Sequence, residues 1–150
     1  MSHTYYQNIY HLIWSTNQRK PLIPPDLKQR IFEFLGGTFK VAGCMPIEIG
    51  GMADHIHALV AIPPKFAVSD IVRDAKISSN KWCRSEVSNS RDFSWQEGFG
   101  SFTVSKSQIE NVRHYILNQE EHHKKKTFKE EFIRLLELHE IEFEEKYLWL

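Results

Sequence analysis

Two histidines separated by one residue, His55 and His57, stand in the run Gly50-Gly51-Met52-Ala53-Asp54-His55-Ile56-His57-Ala58-Leu59-Val60. In a β-strand, residues i and i+2 share a face, so both imidazoles can converge on one divalent cation while Ile56 turns into a core. Further along, Tyr115 precedes Gln119 by four residues, a spacing that stacks a phenol and a carboxamide on one side of a helix. Two neutral imidazoles and one carboxamide oxygen fill part of an octahedral Mg²⁺ or Mn²⁺ shell and leave positions for phosphate oxygens and water. A tyrosine beside such a centre suits phosphoryl transfer. Its attack on a phosphodiester yields a phosphotyrosine, which keeps the bond energy that a later 3′-hydroxyl can reuse and that hydrolysis would discard. Asp54 is a candidate to orient a ligand histidine through its second ring nitrogen. Taken singly, each residue also has a plainer reading: hydrogen-bonded strand histidines, a turn aspartate, a half-buried helix aromatic and a solvated amide. Their joint spacing is what points to chemistry.

Other chemistries find less support. Cys44 and Cys83 are isolated, with no C-x-x-C spacing, so neither a disulfide framework nor a cysteine zinc site is indicated. No Gly-rich phosphate loop with a lysine occurs, so no nucleotide cofactor is expected. The segment His122-His123-Lys124-Lys125-Lys126 reads as a basic helix end complementing the dipole and is assigned no ligand.

The positioning elements follow from periodicity. Tyr5 to Trp14 reads as a first strand and about Pro25 to Lys40 as a first helix, with Leu27, Ile31, Phe34 and Leu35 on its apolar side. Met45 to Ile49 is a second strand, turned by Gly50-Gly51 into a third, His55 to Ile62. Val68 to Trp82 makes a second amphipathic helix, Ser88-Asn89-Ser90 a loop, and Phe99 to Val104 a fourth strand. Ser107 with Glu110 forms a capping box for the helix bearing Tyr115, and Thr127 with Glu130 repeats the signal for a last helix. The order β-α-β-β-α-β is that of a ferredoxin-like α+β sandwich, with an antiparallel sheet carrying two helices on one face. Its other face is left for nucleic acid or for the helices after position 107.

With 150 residues and 41% hydrophobic content, the chain is sized for one domain, 1–150, ending in an acidic helical tail from about position 127. No stretch reaches the ~18 uninterrupted apolar residues of a membrane span, and no basic-then-apolar leader opens the chain, so a cytoplasmic location is expected. The formal net charge is zero, but the segment 127–150 holds three basic residues against seven glutamates. The remaining body is therefore mildly basic, which permits a phosphate-binding surface. Arg19 and Lys20, with Arg73, Lys76, Lys81 and Arg84 on the polar side of the second helix, are the candidate DNA contacts, and a solvated face is the plainer alternative. Phe93 and Trp95 offer base-stacking or core packing.

These residues resemble a known family, the single-tyrosine HUH transposases of the insertion-sequence 200/605 type, including the related repeat-associated tyrosine transposases. The resemblance rests on His11-Leu12-Ile13-Trp14-Ser15-Thr16 with Arg19, on Gly50 to His57, on Phe93 to Ser105, and on Tyr115 to Lys124. It implies a ferredoxin-like or RRM-like fold, with His55, His57 and Gln119 as metal ligands and Tyr115 as the nucleophile that breaks single-stranded DNA, leaving a 5′-phosphotyrosine and a free 3′-hydroxyl. It further implies a homodimer that recognises imperfect hairpins at element ends and joins strands without hydrolysis. Phe99, Ser101 and Thr103 depart from the usual pattern without touching the catalytic set. A domesticated relative acting on repeated genomic palindromes and a non-catalytic RRM-like single-strand-binding module are the alternatives.

Overall fold

The side chains of each strand divide between two faces, and that division organises the whole molecule. A computed structural model describes residues 3–86 and 92–149. Four strands, β1 (Ile9–Ser15), β2 (Met45–Met52), β3 (His55–Ala61) and β4 (Gly100–Thr103), form one antiparallel sheet in the order β2-β3-β1-β4. The helices are α1 (Lys28–Val41), α2 (Val68–Glu86), α3 (Ile109–Leu117), α4 (Gln119–His123) and α5 (Phe128–Leu138). The α+β sandwich expected from the element order is the one observed, with β3 in the middle of the sheet.

Leu12 and Trp14 of β1 and Ile56, Ala58 and Val60 of β3 point to one face and make a core with Ile31, Leu35 and Phe39 of α1 and Ile71, Val72, Ala75 and Cys83 of α2. Phe93 and Trp95 belong to this core, with the Trp95 indole donating to Ser79 Oγ at 2.9 Å, so the packing reading holds for both. The opposite face carries Ile9, His11 and Ile13 beside His55, His57 and Leu59. Helix α3 covers one part of it, burying Ile109 and Ile116 against Ile9 and Leu59. Helix α5 covers another, burying Phe128, Phe132 and Leu136 against Ile13 and Phe102. The acidic tail thus packs on its own sheet, and Leu148 and Trp149 fold back against the α5 cluster. Among the described residues, no helix is long and apolar enough to cross a membrane.

Three local expectations change. Strand β2 does not end at Ile49: Gly50 pairs with His57, Gly51 with Ile56 and Met52 with His55, and the turn falls at Ala53-Asp54. The glycines serve close packing. A methyl group on Gly50 would lie 2.7 Å from the Ile116 carbonyl oxygen, and Gly51, at φ 153°, would bring one 2.1 Å from the His55 carbonyl oxygen. The Ser107–Glu110 capping box is absent, because Ser107 lies inside a 3₁₀ turn, Lys106–Gln108, and α3 starts only at Ile109 with no side-chain cap. Thr127 does cap α5, accepting from the Glu130 amide at 3.2 Å. The first strand starts at Ile9, leaving Tyr5 and Tyr6 exposed, and the expected loop at Ser88-Asn89-Ser90 lies outside the described residues.

Candidate active site

Strand β3 supplies two imidazoles to the polar face, and both are fully buried. His55 Nδ1 lies 2.7 Å from Asp54 Oδ1, and because a carboxylate only accepts, that nitrogen carries the hydrogen. In the neutral ring, Nε2 is then a lone pair. It faces Gln119 Oε1 at 3.0 Å and Glu131 Oε1 at 3.5 Å. Asp54 therefore lies against the His55 nitrogen that faces away from Gln119 and Glu131. His57 is held from behind by a residue with no role assigned from its spacing: His11 Nε2 on β1 lies 2.8 Å from His57 Nδ1. The other nitrogen, His57 Nε2, donates to Glu131 Oε1 at 2.9 Å. Burial pushes both His11 and His57 below the ordinary histidine value, so both rings stay neutral; with the His57 hydrogen on Nε2, His11 Nε2 donates to His57 Nδ1, and only the other His57 tautomer, donating to His11, presents Nε2 as a lone pair.

Tyr115 and Gln119 do not lie on one continuous helix. The chain leaves helical geometry at Asn118, which ends α3 and opens α4. Gln119 is nonetheless buried, and its amide nitrogen points to the Tyr115 carbonyl and to Glu131 Oε2, both at 3.3 Å. That orientation turns its oxygen toward the histidines. The break also swings α4 so that His123, read from the sequence as part of a basic helix end, enters the site. Its Nδ1 donates to the Lys126 carbonyl at 2.8 Å, and its Nε2, 2.8 Å from Gln119 Oε1 and 3.2 Å from Glu131 Oε1, is a lone pair in the neutral ring and a donor to Glu131 in the charged one.

Glu131 is the residue that the motifs do not reveal. It is 1% exposed, sits on α5, and its carboxylate spans the site. Oε1 faces the three imidazole nitrogens, while Oε2 accepts from the Tyr115 hydroxyl and lies 3.1 Å from His122 Nε2. Burial alone would raise this carboxyl, but hydrogen bonds from His123 and His57 hold it well below the usual carboxylate range. Tyr115 moves the other way. Its burial, reinforced by the Glu131 charge, holds the phenol well above its ordinary value.

With the rings of His55 and His123 neutral, their Nε2 atoms, Gln119 Oε1 and Glu131 Oε1 are four acceptor atoms turned toward one another, with the His57 hydrogen among them. Buried lone pairs in contact repel unless a cation lies between them. The His/Glu cluster His55, His57, His123 and Glu131, whose ligand atoms all lie within 4.8 Å of one another, could hold a metal ion. The sequence-predicted ligands His55, His57 and Gln119 do come together, with Tyr115 beside them.

The candidate DNA contacts are placed elsewhere. Arg73, Lys76, Lys81 and Arg84 lie on α2, across the sheet from the histidines. Lys76 Nζ donates to the Gln96 and Gly98 carbonyls at 2.9 and 2.6 Å, Arg84 Nε donates to the Phe93 carbonyl at 2.9 Å, and Arg73 pairs with Asp70 and Asp74. Lys76 and Arg84 therefore tie down the loop before β4. Arg19 has its guanidinium 4.4 Å from the Trp149 ring centroid, and Lys20 beside it is exposed.

A family model described as "Transposase IS200 like" matches residues 4–119. The chain belongs to the IS200-like transposase family. It is 25% identical over 130 residues to the transposase for insertion sequence element IS200 of Salmonella typhimurium, covering 83% of this chain and 84% of that one. Against the ISDra2 transposase TnpA of Deinococcus radiodurans, it is 30% identical over 74 residues, 49% of this chain and 53% of the relative. Two solved structures share the fold. One, a Deinococcus radiodurans R1 protein described as a transposase, superposes with a TM-score of 0.64 at 22% identity over 79% of this chain and 95% of its own. The other, a REP-associated tyrosine transposase bound to a REP hairpin, gives 0.53 at 12% identity over 77% and 68%. The matched span of the IS200-like family ends at Gln119, short of His123 and Glu131.

Proposed function

We propose that this IS200-like transposase cleaves single-stranded DNA and transfers the strand through a covalent 5′-phosphotyrosine on Tyr115. The observation that carries this reading is the shared carboxylate: the Tyr115 hydroxyl and the histidine ligand atoms meet on Glu131, so nucleophile and cation site form one buried unit. A divalent cation, Mg²⁺ or Mn²⁺, held by His55, His57 and Gln119 would polarise the scissile phosphate as a Lewis acid.

At rest the phenol stays protonated, held so by burial and by the neighbouring carboxylate. During attack its hydrogen leaves along the contacts it already makes, to Glu131 or His122, as the Oη–P bond forms and the P–O3′ bond breaks. The 3′-oxygen takes up a hydrogen from water and departs as a free hydroxyl. Reversal by another 3′-hydroxyl joins strands without loss of bond energy. Asp54 and His11 position the two strand imidazoles throughout.

The substrate in this reading is a single strand bearing a hairpin at an element end, in line with the hairpin bound by the REP-associated relative, and the working unit is a homodimer in the cytoplasm. Incubating the protein with labelled hairpin-bearing single-stranded DNA and Mn²⁺, then running a denaturing gel, should give a covalent adduct. The adduct should vanish with EDTA and in Tyr115→Phe, while DNA retention by Tyr115→Phe on a native gel stays at the wild-type level. Cleavage by Tyr115→Phe at the wild-type rate would remove the tyrosine from its role. Retarded but unmodified DNA with the wild-type protein would favour a binding module instead.

A further inference from the structure

We propose that His123 and Glu131 complete the cation's ligand set, adding a third imidazole and a carboxylate to His55, His57 and Gln119. This rests on the metal reading above and extends it to two residues beyond the span that the family model matches.

Three independent features carry it. The first is hydrogen accounting. With its Nδ1 hydrogen spent on the Lys126 carbonyl, the neutral His123 ring presents Nε2 as a lone pair, the state a metal ligand requires. His55 is prepared in the same way by Asp54. The second is spacing. Ligands at neighbouring vertices of an octahedron with bonds of about 2.1 Å are about 3 Å apart. The contacts His55–Gln119, His123–Gln119, His57–Glu131, His123–Glu131 and His55–Glu131 measure 3.0, 2.8, 2.9, 3.2 and 3.5 Å. The third is charge. Two imidazoles and an amide would hold a dication with no compensating charge, whereas the Glu131 carboxylate, 1% exposed, supplies one in a site where water supplies little screening.

Glu131 then does two things with its two oxygens. Oε1 joins the ligand set, and Oε2 keeps the Tyr115 hydroxyl beside it. Five protein donors leave one octahedral vertex, enough for one phosphate oxygen of the DNA. The C-terminal helix, read from the sequence as an acidic tail, becomes part of the reaction centre.

The test is Mn²⁺ affinity of the full chain without DNA, by isothermal titration and by electron paramagnetic resonance, in wild type, Glu131→Gln, His123→Ala and His57→Ala. Groups that merely orient ligands cost about 10- to 100-fold in metal affinity when removed, so Glu131→Gln and His123→Ala, as losses of ligands, should each weaken Mn²⁺ binding by more than about 100-fold, and a loss of only about tenfold would make them orienting groups and overturn the larger set. If both bind like wild type while His57→Ala does not, the larger set is wrong and the three-ligand reading stands. If wild type itself binds no Mn²⁺ at millimolar concentration, both readings fall. Electron spin echo modulation of Mn²⁺ in wild type needs no variant to fold: nitrogen couplings from three imidazoles support the assignment, and from two overturn it.

Discussion

The two faces of the sheet are built from the same strands and do opposite work. On one face, Leu12, Trp14, Ile56, Ala58 and Val60 meet two amphipathic helices in a core whose members are almost all apolar. On the other, His11, His55 and His57 meet Gln119 and Glu131, a polar cluster buried as deeply as the core opposite, with the half-buried His123 at its edge. Adjacent residues of β3 therefore belong to different economies. Ile56 is held by packing, which tolerates small displacement, whereas His57 is held by directional contacts at 2.8 and 2.9 Å. The difference teaches that burial alone says little about a residue's task, and that the partners decide it.

His57→Ala should separate the faces most sharply. Loss of a ligand exceeds loss of its supports, so covalent adduct formation should fall by more than about 100-fold, while the far-ultraviolet dichroism spectrum stays that of the wild type. Its neighbour should behave in the opposite way. Ile56→Ala removes packing from the apolar face and should cost about 2–5 kcal/mol in urea unfolding, with the folded fraction still forming the adduct. Adduct formation lost in Ile56→Ala at full folding would show that the faces are not separable.

Gly50→Ala tests the seam between them. A methyl 2.7 Å from the Ile116 carbonyl must push α3, which carries Tyr115, off the sheet. Overpacking of this kind costs about 1–3 kcal/mol, and the adduct rate should fall further than stability alone explains. A variant as stable and as active as wild type would show that α3 has freedom to shift.

The smallest effect concerns acid. His11 and His57 are held below their ordinary value by burial, and Glu131 below its own by its histidine partners. In each case the unfolded chain binds more protons as pH falls, so stability is present above the unfolded value and is lost on acidification. His123 is shifted upward, its burial outweighed by the Glu131 hydrogen bond and charge together with the Lys126 carbonyl, and it contributes in the opposite sense. Metal-free protein should therefore lose stability from about pH 6.5 downward, at up to about 1.4 kcal/mol per pH unit for each net proton. His11→Asn should flatten that slope in pH-dependent melting. An unchanged slope would assign the acid lability to other groups.

Much of this was legible in one dimension. Alternation gave β3 its two faces, and the i, i+2 histidines with Asp54 before them marked the site because a strand has only one way to present them. The Tyr115–Gln119 spacing does bring the two residues to one place, but not on one helix, since Asn118 interrupts the helix between them. The Gly-Gly step looked like a turn and is instead the place where a helix lies on a strand.

What the sequence determined by itself was the set of local patterns: strand and helix periods, the histidine pair, the Thr127 cap and the isolation of the cysteines, all of which act within a few residues. Only the tertiary structure decided that Glu131, 74 positions beyond His57, lies 2.9 Å from it, that His11 supports His57 across a strand pair, and that His123 turns inward. One glutamate among the seven in the segment 127–150 carries no local mark of this, because its role is set by which helix face covers the sheet. Long-range contact is a property of packing, and packing is decided by the whole chain at once.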